Sequence, residues 1–336
     1  MSRPTLDSWL SRKIGEPFSR SALERYQLAR LNETIALARE NSRYYAQRLP
    51  LGSLSSIREL SELPFTRPEE LYAEPYAFLC VSPREVERII TVATSGSSGA
   101  SKRVFFTADD IELCADFFHH GMRLMVDESD RLGILFPASA PGSVGELLAR
   151  GLERGGTHAL QLFHKIGDFS ALAEAIEAEN INSLAGFPSV IQALADSYPQ
   201  LPIRTVLLSA DFISPACREA IAAAWGAEVF EHYGMTEMGL GCAVSCGHQR
   251  GYHVREADIL IEIIDPNTGR VLPEGETGEV VFTTLTRRAM PLIRYRTGDI
   301  SRIIPGPCPC GTELYTLAPV GDRGVRKKIP GTNYGR

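Results

Sequence analysis

Glycines and hydroxyl side chains are concentrated in one short stretch that ends on a lysine, Thr94-Ser95-Gly96-Ser97-Ser98-Gly99-Ala100-Ser101-Lys102. Glycines let backbone N–H groups converge on an anion, hydroxyls can donate hydrogen bonds, and the lysine supplies a mobile positive charge. This chemistry suits a polyphosphate. The stretch lacks the Walker A pattern, and a flexible linker is the alternative interpretation.

The seven cysteines include a group that could hold a metal ion, and their odd number fits poorly with a fully paired disulfide framework. Three thiolates and one imidazole make a complete tetrahedral set for Zn²⁺. The spacing is not that of the usual Cys-x2-Cys finger, so separate buried thiols or a redox-active Cys308 and Cys310 are alternatives. The candidate ligands are Cys246, His253, Cys308 and Cys310, with Cys242 and His248 as spares.

Two more motifs combine hydroxyl and carboxylate side chains. They are His232-Tyr233-Gly234-Met235-Thr236-Glu237 and Tyr295-Arg296-Thr297-Gly298-Asp299. Taken singly, each has an ordinary structural interpretation, because an Asp beside a Gly is commonly a turn residue and Tyr233 could belong to the core.

Short β-branched stretches alternate with amphipathic ones in the first two thirds of the chain, after a long helix from Leu23 to Leu49 with a break near Asn41-Ser42. The alternation predicts a largely parallel sheet with helices on both faces. Strands are expected at 89–93, 131–136, 157–162, 183–185, 204–209 and 229–233. Helices are expected at 109–122, 145–154, 169–179, 188–196 and 215–225.

The helical period disappears after Tyr233. Strands are expected at 259–264, 279–284, 292–295 and 300–304, separated by turn sequences, which predicts an antiparallel β subdomain. The predicted division is therefore 1–235 for the helical lead-in and α/β core, 236–320 for the β subdomain and 321–336 for a hinge-like tail.

The composition excludes several classes of protein. The chain has 336 residues, of which 44% are hydrophobic, and a net charge of -6. This much apolar material argues against disorder, and no apolar run approaches the ~20 residues of a membrane span. The N-terminus is not a secretory signal, and scattered Lys and Arg argue against a nucleic-acid partner. We expect a cytoplasmic protein.

In this order, the three motifs resemble the signatures of the adenylate-forming enzymes, the superfamily of acyl-CoA synthetases, luciferases and peptide-synthetase adenylation domains. Four further stretches resemble the phenylacetate–CoA ligase branch, and the similarity runs from about Tyr26 to about Gly321. These stretches are Asn41 to Tyr45, Leu63 to Thr66, Gly278 to Leu285 and Pro291 to Arg296. The resemblance implies an α/β fold, the large N-terminal domain of those enzymes.

The implied reaction is the attack of a carboxylate on the α-phosphate of ATP, which gives an acyl-adenylate and pyrophosphate. In most relatives CoA then displaces AMP. The resemblance implies that residues 94–102 cradle the β- and γ-phosphates. Thr236, Glu237 and Lys102 are the implied catalytic residues, with Thr236 on the α-phosphate and Glu237 on Mg²⁺.

The resemblance also places the nucleoside and the acyl group. Asp299 would accept hydrogen bonds from the ribose, with Arg323 as a further candidate, and Tyr233 would stack on adenine. The remaining implied nucleotide-binding residues are Ala210, Asp211, His232 and Gly234. The implied acyl pocket comprises Phe136, Pro137, Ser143, Gly145, Gly186 and Phe187.

Cysteines and a histidine at matching places in the same branch strengthen the zinc interpretation, and the implied role is structural. The branch also carries a C-terminal lid domain with a lysine for adenylation, and residues 321–326 match its hinge poorly. The chain ends at Arg336, so the lid is expected to be absent, by truncation or by nature.

Three functions are therefore compared. The first is a carboxylate-activating, AMP-forming ligase with CoA as acceptor. The second is an enzyme without the lid domain, which forms acyl-AMP and passes it to another acceptor or to a carrier protein. A separate subunit that supplies the lid is a further possibility for such an enzyme. The third is an accessory protein that binds nucleotide or acid without turnover. A homodimer is compatible with each.

Overall fold

The structure is a computed structural model that describes residues 4–93 and 101–321. The greater part of the glycine-rich stretch, residues 94–100, and the candidate Arg323 lie outside these ranges. In chain order the α-helices are α1 (Asp7–Ile14), α2 (Arg20–Asn41), α3 (Pro68–Ala73), α4 (Ala108–Met122), α5 (Val144–Arg154), α6 (Phe169–Ala178), α7 (Pro188–Ser197) and α8 (Pro215–Trp225). No helix in these two ranges combines the length and the apolar character that crossing a bilayer requires.

The strands of the described ranges are numbered in chain order. The first seven are β1 (Arg88–Ala93), β2 (Ser101–Phe106), β3 (Arg131–Leu135), β4 (His158–Gln161), β5 (Ser183–Gly186), β6 (Thr205–Leu208) and β7 (Glu228–Tyr233). The others are β8 (Ala243–Ser245), β9 (Tyr252–Val254), β10 (Ile259–Ile264), β11 (Gly278–Thr284), β12 (Tyr295–Ser301), β13 (Ile303–Ile304) and β14 (Thr316–Leu317).

A nine-stranded mixed sheet forms the centre, in the order β13-β14-β9-β8-β7-β6-β5-β3-β4. Strands β3 to β7 pair in parallel, and the pairs from β7 through β8, β9 and β14 to β13 are antiparallel. A separate sheet, β10-β11-β12, is antiparallel. The predicted α/β fold with an added antiparallel sheet is confirmed. Because the large sheet continues across residue 235, the domain division at that residue stays a prediction.

Helices cover both faces of the parallel strands, and the alternation of side chains along β6 shows how. Val206 and Leu208 pack into a core cluster that includes residues of α6, α7 and α8. Leu207 points to the opposite face and belongs to the larger cluster that includes α4 and α5. Successive side chains of a strand point to opposite faces, so both faces of this strand are buried.

Local signals explain where two of the helices begin, α4 and α8. The Thr107 hydroxyl accepts from the Asp110 N–H at 3.1 Å and the Asp110 carboxylate accepts from the Thr107 N–H at 3.0 Å, a capping box that starts α4. Ser214 caps α8, and Pro215 occupies its first turn.

Two strand predictions need correction. The stretch 89–93 does not enter the parallel sheet, because β1 pairs with β2 as an antiparallel hairpin. The connection 94–100 is shorter than the roughly dozen residues that a parallel crossover needs. The strand predicted at 292–295 begins only at Tyr295, since Arg294 has a φ of 48° and interrupts the extended backbone.

The long N-terminal helix was predicted from Leu23 to Leu49 and was expected to break near Asn41-Ser42. It runs from Arg20 to Asn41 and ends there, because Ser42 adopts extended backbone.

Candidate active site

The carboxyl ends of β6 and β7 meet at one edge of the parallel strands, where open α/β sheets commonly bind ligands. The residues that follow β6 include Ser209 and Ala210, and β7 ends with His232 and Tyr233. Ser209 Oγ lies 2.8 Å from His232 Nδ1. Two cavities open at this edge, and they share Ala210, His232 and Gly234 in their walls.

The first cavity is polar, with a volume of about 410 Å³. The Tyr233 hydroxyl donates to Asp299 Oδ2 at 3.0 Å. Burial, together with the Asp299 carboxylate, raises the pKa of Tyr233 well above its ordinary value, so the hydroxyl keeps its proton. Four of the predicted nucleotide-binding residues line this cavity besides His232 and Gly234. They are Ala210, Asp211, Tyr233 and Asp299.

A buried ion pair joins two of the predicted catalytic residues across 135 positions of sequence. Lys102 Nζ donates to Glu237 Oε1 at 2.6 Å, and the Tyr295 hydroxyl donates to the same oxygen at 3.1 Å. The Glu237 side chain is 1% exposed. The other oxygen, Glu237 Oε2, has no hydrogen-bond partner in the described part of the chain. An available, buried carboxylate oxygen suits a hard divalent cation such as Mg²⁺.

The second cavity is apolar, with a volume of about 210 Å³. Aromatic residues of helix α4 line one side of the cavity. The predicted pocket residue Phe136 and the predicted catalytic residue Thr236 also lie in the cavity wall. The sequence patterns did not identify several other residues of this wall, which are apolar side chains and one glycine. They include Phe117, Phe118, Gly121, Met122, Met125, Leu148 and Val244.

The other predicted acyl-pocket residues lie beside Phe136 and are not among the residues lining the apolar cavity. Gly145 N–H donates to the Pro137 carbonyl at 2.9 Å, and a Cβ at Gly145 would lie 2.6 Å from the Phe136 carbonyl oxygen. The Phe187 ring packs 5.2 Å from the Phe136 ring. Ser143 immediately precedes α5, and Gly186 ends β5. Contact between these residues and an acyl group stays a prediction.

His232 stands where the two cavities meet. Burial, with the nearby Arg255 guanidinium, lowers the pKa of His232 to about 4. Its imidazole is therefore neutral at physiological pH and adds no charge to the junction of the cavities.

The predicted zinc ligands come together at the antiparallel end of the large sheet. Cys246 follows β8, His253 lies in β9, and the two remaining cysteines lie between β13 and β14. The four ligand atoms are all within 4.8 Å of one another. Cys246 Sγ lies 3.7 Å from Cys308 Sγ, and Cys310 Sγ lies 3.4 Å from His253 Nε2.

These distances fit a tetrahedral site, in which Zn–S bonds of about 2.3 Å place two sulfurs about 3.8 Å apart. His253 Nδ1 lies 3.4 Å from Thr316 Oγ1, so the ring has an outer hydrogen-bond partner while Nε2 faces the cysteines. The spare candidates Cys242 and His248 are not part of the cluster of four.

A family model for AMP-binding enzymes matches residues 61–285, about two thirds of the chain. The chain belongs to the AMP-binding enzyme family. The phenylacetate-coenzyme A ligase of Pseudomonas putida is 30% identical over 308 residues, which cover 87% of this chain and 69% of that protein. The ligase of the same name from Aromatoleum evansii is also 30% identical, with 92% of this chain and 72% of that protein covered. The predicted resemblance is confirmed, and the chain is a member of an AMP-forming ligase family.

Solved structures confirm the fold of this AMP-binding enzyme. A 2-hydroxyisobutyryl-CoA ligase in a post-adenylation state superposes with a TM-score of 0.80 at 19% identity, covering 90% of this chain and 68% of that one. The same ligase in the thioesterification state, with an acyl-AMP and CoA, gives a TM-score of 0.80 at 20% identity. At these identities the likeness concerns the fold alone.

Proposed function

We propose that the protein uses ATP to convert a carboxylic acid without a further charged group into an acyl-adenylate and then transfers the acyl group to CoA. The observation that carries this proposal is the pair of neighbouring cavities that share Ala210, His232 and Gly234 in their walls. One cavity presents a carboxylate and a phenol to a polar ligand, and the other offers an apolar chamber. An acyl-adenylate has these two halves, joined at one phosphate. The names of the related ligases support the same activity.

In the first step a carboxylate oxygen of the acid attacks the α-phosphorus of ATP, and pyrophosphate leaves with the electron pair of the broken P–O bond. Two anions must approach each other, so charge neutralisation dominates the barrier. Lys102 would exchange its contact with Glu237 for one with a phosphate oxygen, and Thr236 would donate a hydrogen bond to the α-phosphate. In the second step the CoA thiol attacks the acyl carbon and AMP leaves.

Glu237 would hold Mg²⁺, which supplies charge neutralisation of the phosphates when it is bound. The available Oε2 supports this role. The Tyr295 hydroxyl orients the carboxylate through Oε1, and burial and the Glu237 charge raise the pKa of Tyr295, so that it stays a donor.

The lining of the apolar cavity supports an aryl or short acyl group as the substrate. In the described chain no Asp, Glu, Lys or Arg lines it, and its polar residues lie at the end that faces β6 and β7. A charged substituent on the acid would lose its hydration there without a partner.

Filling the cavity should separate acid binding from nucleotide binding. Gly121 lies in its wall, and a Cβ there would meet only Val244 Cγ1, at 3.7 Å. We expect Gly121→Leu to raise the KM for the acid at least tenfold and to change the ATP affinity less than twofold. Gly167→Leu, at an exposed glycine with open space around it, is the control. Equal effects on acid and ATP in Gly121→Leu would contradict the assignment.

The ribose assignment predicts a loss of ATP affinity in Asp299→Asn. Asparagine keeps an acceptor for the Tyr233 hydroxyl but removes the charge, and hydrogen bonds to charged groups contribute about 1.5–3 kcal/mol. Isothermal calorimetry should therefore show about 10–100-fold weaker ATP binding. Asp196→Asn, at an exposed position of α7, is the control. ATP binding of wild-type strength in Asp299→Asn would overturn the assignment.

We also propose that Cys246, His253, Cys308 and Cys310 bind a structural Zn²⁺. With four protein ligands the site is closed to substrate, and the ion would fasten the β13–β14 connection to β8 and β9.

The acceptor is tested by product analysis of a reaction that contains ATP, Mg²⁺, phenylacetate and CoA. We expect AMP, pyrophosphate and the acyl-CoA thioester in equal amounts. An acyl-adenylate that forms but gives no thioester would remove CoA from the proposal and favour another acceptor.

A further inference from the structure

A buried arginine lies beneath the turn that carries Thr236 and Glu237, and the proposed mechanism does not use it. Arg287 lies between β11 and β12 and is 4% exposed. An arginine is rarely buried to this extent without specific partners.

The guanidinium bridges two elements of the candidate active site. Arg287 Nη2 donates to the Phe105 carbonyl at 3.1 Å, and Nη1 reaches the Glu237 carbonyl at 3.5 Å. Phe105 lies in β2, the strand that carries Lys102. The same guanidinium lies over the Phe106 ring, 4.3 Å from its centroid. One side chain thus contacts both the strand of Lys102 and the turn of Glu237.

The arginine is itself held firmly. Asp110 Oδ1 accepts the Arg288 N–H at 2.8 Å, and Oδ2 accepts the Ala289 N–H at 2.9 Å, so the backbone next to Arg287 is fixed to the start of α4. On the other side, Gly239 closes the turn with a φ of 77°, and a Cβ there would lie 3.2 Å from Arg287 Nη1. The turn therefore folds directly against the guanidinium.

Within residues 4–93 and 101–321, the ion pair that Arg287 makes is a long one. Its Nε lies 4.0 Å from Asp110 Oδ1, and the Asp110 carboxylate already accepts backbone N–H groups, those of Thr107, Arg288 and Ala289. The contacts that join Arg287 to the Glu237 turn and to the Lys102 strand are therefore its hydrogen bonds to the two backbone carbonyls.

We propose that Arg287 is a positioning residue for the activation step: it locks the Glu237 turn to the Lys102 strand and keeps the Glu237 carboxylate aligned when Lys102 moves to the phosphates. This inference rests on the proposed function. A lysine at the same position would keep the charge, but it lacks the planar fork that reaches two carbonyls at once. A misplacement of about 1 Å can cost about 10²-fold in rate.

The test compares Arg287→Met, Arg287→Lys and Arg288→Met in acid-dependent exchange between ATP and labelled pyrophosphate, titrated with Mg²⁺. Arg288 is the matched control, because it is the adjacent arginine and its 58%-exposed side chain pairs with Asp109 at the surface. We expect Arg287→Met to lower the exchange kcat about 10²-fold and to raise the half-maximal Mg²⁺ concentration, with the KM for the acid unchanged. Arg287→Lys should lie between Arg287→Met and wild type, and Arg288→Met should match wild type.

Thermal unfolding of each variant separates positioning from folding. If Arg287→Met unfolds at a lower temperature than wild type, Arg287→Lys still tests the positioning role. We expect Arg287→Lys to unfold at the wild-type temperature and yet to need more Mg²⁺ for half-maximal exchange. Wild-type Mg²⁺ dependence in both Arg287 variants, or a KM for the acid that rises in step with the loss of kcat, would overturn the inference. A wild-type protein without exchange would overturn the proposed function itself, and this inference with it.

Discussion

Glu237→Gln should lower acid-dependent exchange between ATP and pyrophosphate by about 10²–10³-fold. The substitution keeps the shape of the side chain and an oxygen to accept from the Tyr295 hydroxyl. It removes the charge that Lys102 contacts at 2.6 Å and the carboxylate oxygen that is available for Mg²⁺. The loss should be larger in kcat than in the KM for the acid, because the acid is held in the apolar cavity.

Glu276→Gln is the control for this substitution, since Glu276 is exposed and lies outside both cavities. The Mg²⁺ titration adds a second readout, because Glu237→Gln should need more Mg²⁺ for half-maximal exchange. An exchange rate within twofold of wild type would show that Glu237 is a structural residue whose charge the reaction does not need.

Cys308→Ala should release the proposed zinc ion and lower the unfolding temperature sharply. Structural Zn²⁺ contributes about 10–16 kcal/mol of binding free energy in zinc-finger peptides, whereas most single substitutions cost about 0.5–3 kcal/mol. The loss should be concentrated in the antiparallel end of the large sheet, where β8, β9 and β14 are only two or three residues long. Elemental analysis and calorimetry together measure both effects.

Cys242→Ala is the matched control, because Cys242 is also a buried free cysteine but lies outside the cluster of four. Cys242→Ala should keep one zinc ion for each chain, and its unfolding temperature should lie closer to that of wild type. Purified wild-type protein without stoichiometric zinc would refute the site. A Cys308→Ala protein that keeps its zinc would remove Cys308 from the ligand set.

The parts of the fold that could be predicted are those with a strong local signal. The sequence predicts a helix at 215–225 and the structure has α8 at Pro215–Trp225, because a serine cap, a proline in the first turn and an apolar stripe agree there. Strand β10 was likewise placed correctly at 259–264. The short strands β8, β9 and β14 carry too few residues to show any period. Their order beside β7, with β8 paired to β7, β9 to β8 and β14 to β9, depends on contacts between residues far apart in sequence.

In the candidate site too, residues that stand in a sequence motif could be predicted, whereas contacts that tertiary structure creates could not. Motifs identified Lys102, Glu237 and Asp299 as chemically suitable residues, but the 2.6 Å contact between Lys102 and Glu237 is a product of tertiary structure. Phe117 and Phe118 lie on an amphipathic helix, where a cavity-lining aromatic has the same local pattern as a core aromatic. Arg287 stands beside the exposed Arg288, and sequence alone does not distinguish the buried arginine from the exposed one.

The central claim is that the two neighbouring cavities hold the two halves of an acyl-adenylate. Acid-dependent ATP–pyrophosphate exchange by the purified protein tests it most directly, because exchange requires reversible formation of that intermediate and does not require CoA. The account predicts exchange that depends on Mg²⁺ and on an acid without a further charged group, such as phenylacetate, and that is weakened in Asp299→Asn and in Gly121→Leu. ATP binding without exchange across a panel of aryl and short-chain acids would contradict it.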